Sequence, residues 1–142
     1  MLRAYEAFAH ADIDRAVADL HPDVEWIEPD EFPNGGRRQG PEAVARYLRD
    51  SRAMWAELRS EPTAHRRGDE IVVVHRLRGR LADGTWHDVT VADVFTVKDG
   101  RVLRMRAYAD PQEALREEGH TSTTSRGTAS RGTASRGTTR RG

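Results

Sequence analysis

Three ionisable residues stand on faces where the surrounding sequence is apolar. Over His87–Lys98 the chain alternates as a strand does, with Val89, Val91, Phe95 and Val97 on one side and Asp88, Thr90, Val94 and Thr96 on the other. Asp93 falls on the first side and interrupts it. In the preceding run His75 shares a face with Ile71, Val73, Leu77 and Leu81, opposite Arg76, Arg78 and Arg80. Glu28 shares a face with Val24 and Trp26. Two carboxyls and an imidazole withdrawn from water can carry proton-transfer chemistry, because burial raises a carboxyl pKa toward neutrality and an imidazole titrates near it already. Any one of the three alone is more often a hydrogen-bonded core group. Three on different strands would converge if the sheet curls over the helices, and a pocket is then expected between them.

The elements that must position these groups can be read from local signals. Tyr5 and Phe8 lie three apart in a helical stretch over residues 3–10, and Ile13, Ala16, Val17 and Leu20 form the apolar stripe of a short helix over 12–20 behind an Asp12 cap. His21-Pro22 stops that helix, and Val24–Glu28 runs as a strand until Pro29. Pro29–Gly40 reads as a loop, in which Arg37-Arg38 is a solvated pair. Pro41 opens a helix carrying Val44, Leu48 and Trp55 near one stripe, with Tyr47 alongside. A strand over about 58–66 contains Pro62, which suits an edge or a bulge. Three further strands, 71–81, 86–97 and 101–109, are separated by Asp83-Gly84 and Asp99-Gly100, both hairpin signals, and form an antiparallel meander. Helices followed by a meander predict an α+β fold with the curved sheet wrapped around the helices.

Register decides which groups meet. If residues 83–85 form the first hairpin loop, His75 lies opposite Asp93; if 82–84 form it, Val73 pairs with Asp93 and His75 lies one pair away. Either brings imidazole and carboxylate within reach. A two-residue Asp99-Gly100 turn sets Arg106 opposite Asp93, whereas the apolar alternation of Leu103, Met105 and Ala107 asks for the other register.

The bulk properties narrow the class. The chain has 142 residues, no cysteine, and equal numbers of basic and acidic side chains. One core-bearing domain is the default at this length, and disulfides and thiolate metal sites are excluded. No apolar run has membrane-spanning length and no signal-peptide pattern opens the chain, so a cytoplasmic protein is expected. The zero net charge hides an asymmetry: arginines at 126, 131, 136, 140 and 141 lie in a Ser-Arg-Gly-Thr-Ala repeat without acids, leaving an acidic body. We expect a domain over 1–118 and a disordered tail over 119–142. Five charges without an aromatic argue against a nucleic-acid partner. The six histidines show no zinc-binding spacing and no glycine-rich nucleotide loop is present, so no cofactor is expected.

The order of the pieces resembles the SnoaL-like branch of the NTF2-like superfamily over about residues 4–115. The resemblance rests on Ala-Asp-Ile-Asp (11–14), Leu-His-Pro-Asp-Val-Glu-Trp (20–26), Arg-Gln-Gly-Pro-Glu-Ala-Val (38–44) and Val-Lys-Asp-Gly-Arg-Val-Leu-Arg-Met-Arg-Ala-Tyr-Ala-Asp (97–110). It implies a cone-shaped α+β fold, N-terminal helices packed against a curved antiparallel sheet, around an apolar pocket, commonly in a homodimer. Within that superfamily the chain also resembles ketosteroid isomerase. That resemblance places the general base on Glu28 before Pro29 and the second, neutral acid on Asp93, while the first-helix tyrosine falls on Ala4, beside Tyr5. The limonene epoxide hydrolase aspartate falls on Ala107, and SnoaL-like cyclases imply Asp93 with His75 as the pocket acid or base.

The expected function is therefore cofactor-free proton abstraction and return on a small apolar carbonyl compound. Glu28 is the candidate base, Asp93 or His75 the acid or oxyanion donor, and Trp26, Trp55, Phe95, Tyr5 and Tyr108 the candidate walls. The rival is a non-catalytic ligand-binding or dimerisation module on the same fold.

Overall fold

In the computed structural model, which describes residues 2–32 and 34–116, the site is framed by two short helices, one longer helix and a single sheet. The elements are α1 (Leu2–Ala9), α2 (Ile13–Ala16), β1 (Leu20–Glu28), β2 (Gly36–Gln39), α3 (Pro41–Ala53), β3 (Trp55–Arg67), β4 (Glu70–Leu81), β5 (Trp86–Lys98) and β6 (Arg101–Tyr108). A helical segment over 111–116 follows. The α+β expectation holds: α1 packs on a curved, unclosed six-stranded sheet of order β2-β1-β6-β5-β4-β3. The sheet is antiparallel except where β1 runs parallel to β6, a pairing the meander alone did not predict. The boundary expected at 118 and the arginine repeat beyond it lie outside the described residues. Among the described residues, no helix is long and apolar enough to cross a membrane.

Two local readings are corrected. The Asp12 carboxylate does cap α2, accepting from Arg15 N, but the helix ends at Ala16 instead of reaching residue 20. Leu20 is drawn into the sheet, paired with Val102, and Val102 N donates to Asp19 O. A one-turn helix gains little from extension, so strand pairing wins. The stretch read as a loop over Pro29–Gly40 closes into a hairpin, with β2 antiparallel to β1. Gly36 at φ 116° and Gly40 at φ 90° provide backbone conformations that side chains resist, and the charged Gly-Arg-Arg-Gln segment suits a sheet edge.

The core has two parts. Inside the curve, Leu20, Val24, Val44, Val73, Phe95, Val102, Met105 and Ala107 pack together with Tyr5, Trp26, Phe32 and Leu48 against them. On the outer face, Val72, Ala92, Val94 and Tyr108 pack with Ala114 of the 111–116 segment. The sheet is thus covered on both faces near β4–β6.

The other edge strand, β3, holds Pro62 and a bulge between Trp55 and Glu57 opposite Leu81 and Arg80. Gly79 is required beside that bulge: a Cβ there would lie 2.2 Å from the Glu57 carbonyl oxygen and 3.0 Å from Trp55 Cε3. Gly79→Ala should therefore destabilise the chain by about 1–3 kcal/mol. Urea denaturation would read this as a lowered midpoint, and an unchanged midpoint would mean that β3 yields to the methyl group freely.

Candidate active site

The register around the first hairpin follows the 82–84 loop. Leu81 N bonds Thr85 O at 2.8 Å, Val73 pairs with Asp93, and His75 pairs with Val91. His75 and Asp93 are thus diagonal neighbours on one inward face, and the imidazole Nε2 lies 3.1 Å from Asp93 Oδ2. The contact is short but not aligned as a hydrogen bond, and neither ring nitrogen has a hydrogen-bond partner.

At the second hairpin both sequence cues hold, each over part of the strand. Asp99 and Gly100 take the positive φ values of a two-residue turn, and Lys98 pairs with Arg101. A bulge after Val97↔Val102 then shifts the register, so Phe95 meets Met105 and Asp93 meets Ala107. Arg106 pairs with Val94 and faces outward, so it is not the partner of the Asp93 carboxylate.

Tyr5 closes the cluster from above. Its hydroxyl donates to Asp93 Oδ2 at 2.5 Å, and its ring meets His75 edge-on at 4.9 Å and Phe95 at 6.2 Å. The resemblance to ketosteroid isomerase places the first-helix tyrosine on Ala4, yet it is Tyr5 that points at the carboxylate. The azimuth of α1 is set by Arg52 of α3, whose guanidinium donates to the carbonyls of Phe8, Ala9 and Trp55. The bonds to Phe8 and Ala9 satisfy the open C-terminal end of α1, where a cation is favoured, and the bond to Trp55 ties it to the start of β3. Removing the hydroxyl in Tyr5→Phe leaves a poorly solvated carboxylate without its donor, so a loss of about 1.5–3 kcal/mol is expected from urea titration. A loss near zero would mean that water replaces the hydroxyl.

Glu28 approaches from β1 and is 8% exposed. Its Oε2 accepts from Trp26 Nε1 at 2.8 Å, and the Tyr47 hydroxyl of α3 acts on the same carboxylate. Desolvation is the main influence on this group, and the nearby Asp93 charge adds to it. The two outweigh the opposing Trp26, Tyr47 and Arg38 contributions and push the Glu28 pKa up to about 7. Burial, then the Asp93 charge, also holds the Tyr5 phenol well above its ordinary value. Tyr47 is raised by burial and by the Glu28 charge. Both phenols are hydroxyl donors at neutral pH.

Of the residues singled out from the sequence, Glu28, Asp93, His75, Tyr5, Trp26 and Phe95 come together inside the sheet, with Trp26 against Phe95 at 6.4 Å. Trp55 does not. The helix carrying its stripe ends at Ala53, so Trp55 begins β3, stacks edge-on with His87 at 6.1 Å, and lines an open cleft with Ile13, Asp14, Arg49 and Arg52. Tyr108 also lies elsewhere, in the outer-face cluster. Two residues were missed. Tyr47 was read as flanking the α3 stripe and Arg38 as solvated, but Arg38 pairs with inward-facing Trp26 and places its guanidinium 4.2 Å from the Tyr47 ring centroid. Only the unrecognised β2 hairpin could have revealed this. Among the described residues, no group of three His, Asp or Glu side chains could hold a metal ion.

An α+β protein with a curved sheet and an acid-lined interior under its first helix is the class this geometry defines. The chain belongs to the SnoaL-like domain family, whose model matches residues 1–105. Among solved structures it is similar to TerC, crystallised with polyporic acid, at 27% identity over 82% of this chain and 92% of that one, with a TM-score of 0.68. An NTF2-like protein of Burkholderia pseudomallei is 29% identical over 80% of this chain and 89% of its own, also at TM-score 0.68. A putative polyketide cyclase of Sinorhizobium meliloti is 25% identical over 75% and 91%, with a TM-score of 0.61. No curated protein is significantly similar to the chain.

Proposed function

We propose that this protein is a cofactor-free isomerase or cyclase that moves a proton on a small apolar carbonyl compound, working as a homodimer of the kind its family resemblance implies. The observation that carries this reading is Glu28, a buried carboxyl whose pKa of about 7 leaves it poised to gain and lose a proton at neutral pH. Glu28 abstracts the proton next to the carbonyl. Charge then develops on the carbonyl oxygen, and Tyr5 of α1 with Asp93 and His75 of the facing strands form the polar group that could receive it, Asp93 as a donor only in its protonated form. Trp26 and Phe95 supply an apolar wall. The likeness to TerC, which was crystallised with polyporic acid, and to a putative polyketide cyclase supports a small organic ligand.

The test is solvent deuterium exchange into a panel of apolar ketones, followed by NMR. Exchange faster than buffer, and lost in Glu28→Gln, supports the proposal. Binding of panel members without exchange would replace it with a non-catalytic ligand-binding module.

A further inference from the structure

Arg38 holds an unused hydrogen-bond donor at its buried Nη1. Its backbone position, opposite inward-facing Trp26 in the β1–β2 hairpin, puts the half-buried side chain on the face that carries Trp26 and Glu28. The guanidinium lies over the Tyr47 ring at 4.2 Å, and its charge acts on both Glu28 and Tyr47. Yet its Nη1 is buried without a hydrogen-bond partner. The neighbouring arginines are treated differently: Arg37 pairs with Glu25 at 2.7 Å, and Arg104 reaches the same carboxylate at 3.5 Å. A guanidinium N–H left unpaired in the interior is unfavourable, and its planar fork matches a carboxylate better than any other common group. Stacking on Tyr47 fixes the plane of that fork before a ligand arrives.

We propose that Arg38 anchors an anionic oxygen of the ligand, so that the site takes small apolar carbonyl compounds bearing a carboxylate. The carbonyl group of the ligand rests on the proton-transfer reading, whereas the Arg38 anchor does not. The carboxylate pairs with Arg38 on the β2 side, while the apolar body lies toward Trp26 and Phe95. The buried, unpartnered His75 Nδ1 offers a second polar contact deeper in the site.

The test compares binding of cinnamate and cinnamamide, which share a shape and differ in charge, to the full chain by calorimetry. It is run at about pH 6, where Glu28 is largely protonated and cinnamate is ionised. Wild type should bind cinnamate at least about tenfold more tightly than the amide. Arg38→Gln should abolish that preference by weakening cinnamate at least about tenfold more than the amide, and Arg38→Lys should keep part of it. Melting curves of both variants establish that they are folded. Equal binding of the two probes to wild type, binding of neither, a preference that survives in Arg38→Gln, or an equal loss for both probes would each overturn the anchor. The two proposals fail separately. Exchange into neutral ketones without a cinnamate preference removes the anchor alone, whereas preference without exchange removes the catalytic reading alone.

Discussion

Glu28→Gln should lower the rate of deuterium exchange into an accepted ketone by about 10²–10⁴-fold, the contribution of a positioned general base. The amide keeps an oxygen that can accept from Trp26 Nε1 but has no basic lone pair comparable to a carboxylate. In wild type the rate should climb about tenfold per pH unit below neutrality and level off above a midpoint of about 7, because only the ionised carboxylate takes the proton. Asp93→Asn provides an internal check. The Asp93 charge is the second cause of the Glu28 shift after burial, so removing it should move the midpoint toward lower pH. A rate independent of pH from about 5 to 9, or exchange unaffected by Glu28→Gln, would sink the assignment of Glu28 as the base.

The same substitution should make the protein more stable at alkaline pH. The Glu28 pKa is about 7 in the folded chain against an ordinary 4.5, so between those values the native state retains a proton that the unfolded chain has released. Stability relative to the variant is therefore fully present below the ordinary pKa, declines across that window, and is lost above the folded value. The full difference is of the order of 3 kcal/mol, since each pKa unit is worth about 1.4 kcal/mol. Glutamine has no charge to desolvate. Urea unfolding of wild type and Glu28→Gln should thus give nearly equal stabilities near about pH 4 and a variant more stable by up to about 3 kcal/mol near about pH 8. Taking the difference cancels the other titrating groups. A gap that stays flat across the window would mean that Glu28 is not held as an unfavourable buried charge and is not poised to act as a base near neutral pH.

Strand alternation by itself put Asp93, His75 and Glu28 on inward faces, because a period of two is a property of the extended backbone and needs no knowledge of its neighbours. The same rule already assigned Tyr108 outward once Met105 and Ala107 were placed inward, so its appearance among the candidate walls was an expectation the sequence itself opposed. The hairpin signals located β4, β5 and β6, but the alternatives they left at Asp93 were resolved only by pairing, through the 82–84 loop and the bulge after Val97. Tertiary structure alone decided the rest. Tyr5 reaches Asp93 because Arg52 pins the end of α1 across the chain. Trp55 leaves the interior because sheet pairing claims it from α3. Arg38 joins Glu28 and Tyr47 because a polar segment without strand signals folds back on β1. A helix azimuth, a strand register and an edge hairpin are each fixed by contacts between residues distant in sequence, and those energies are not written in any local pattern.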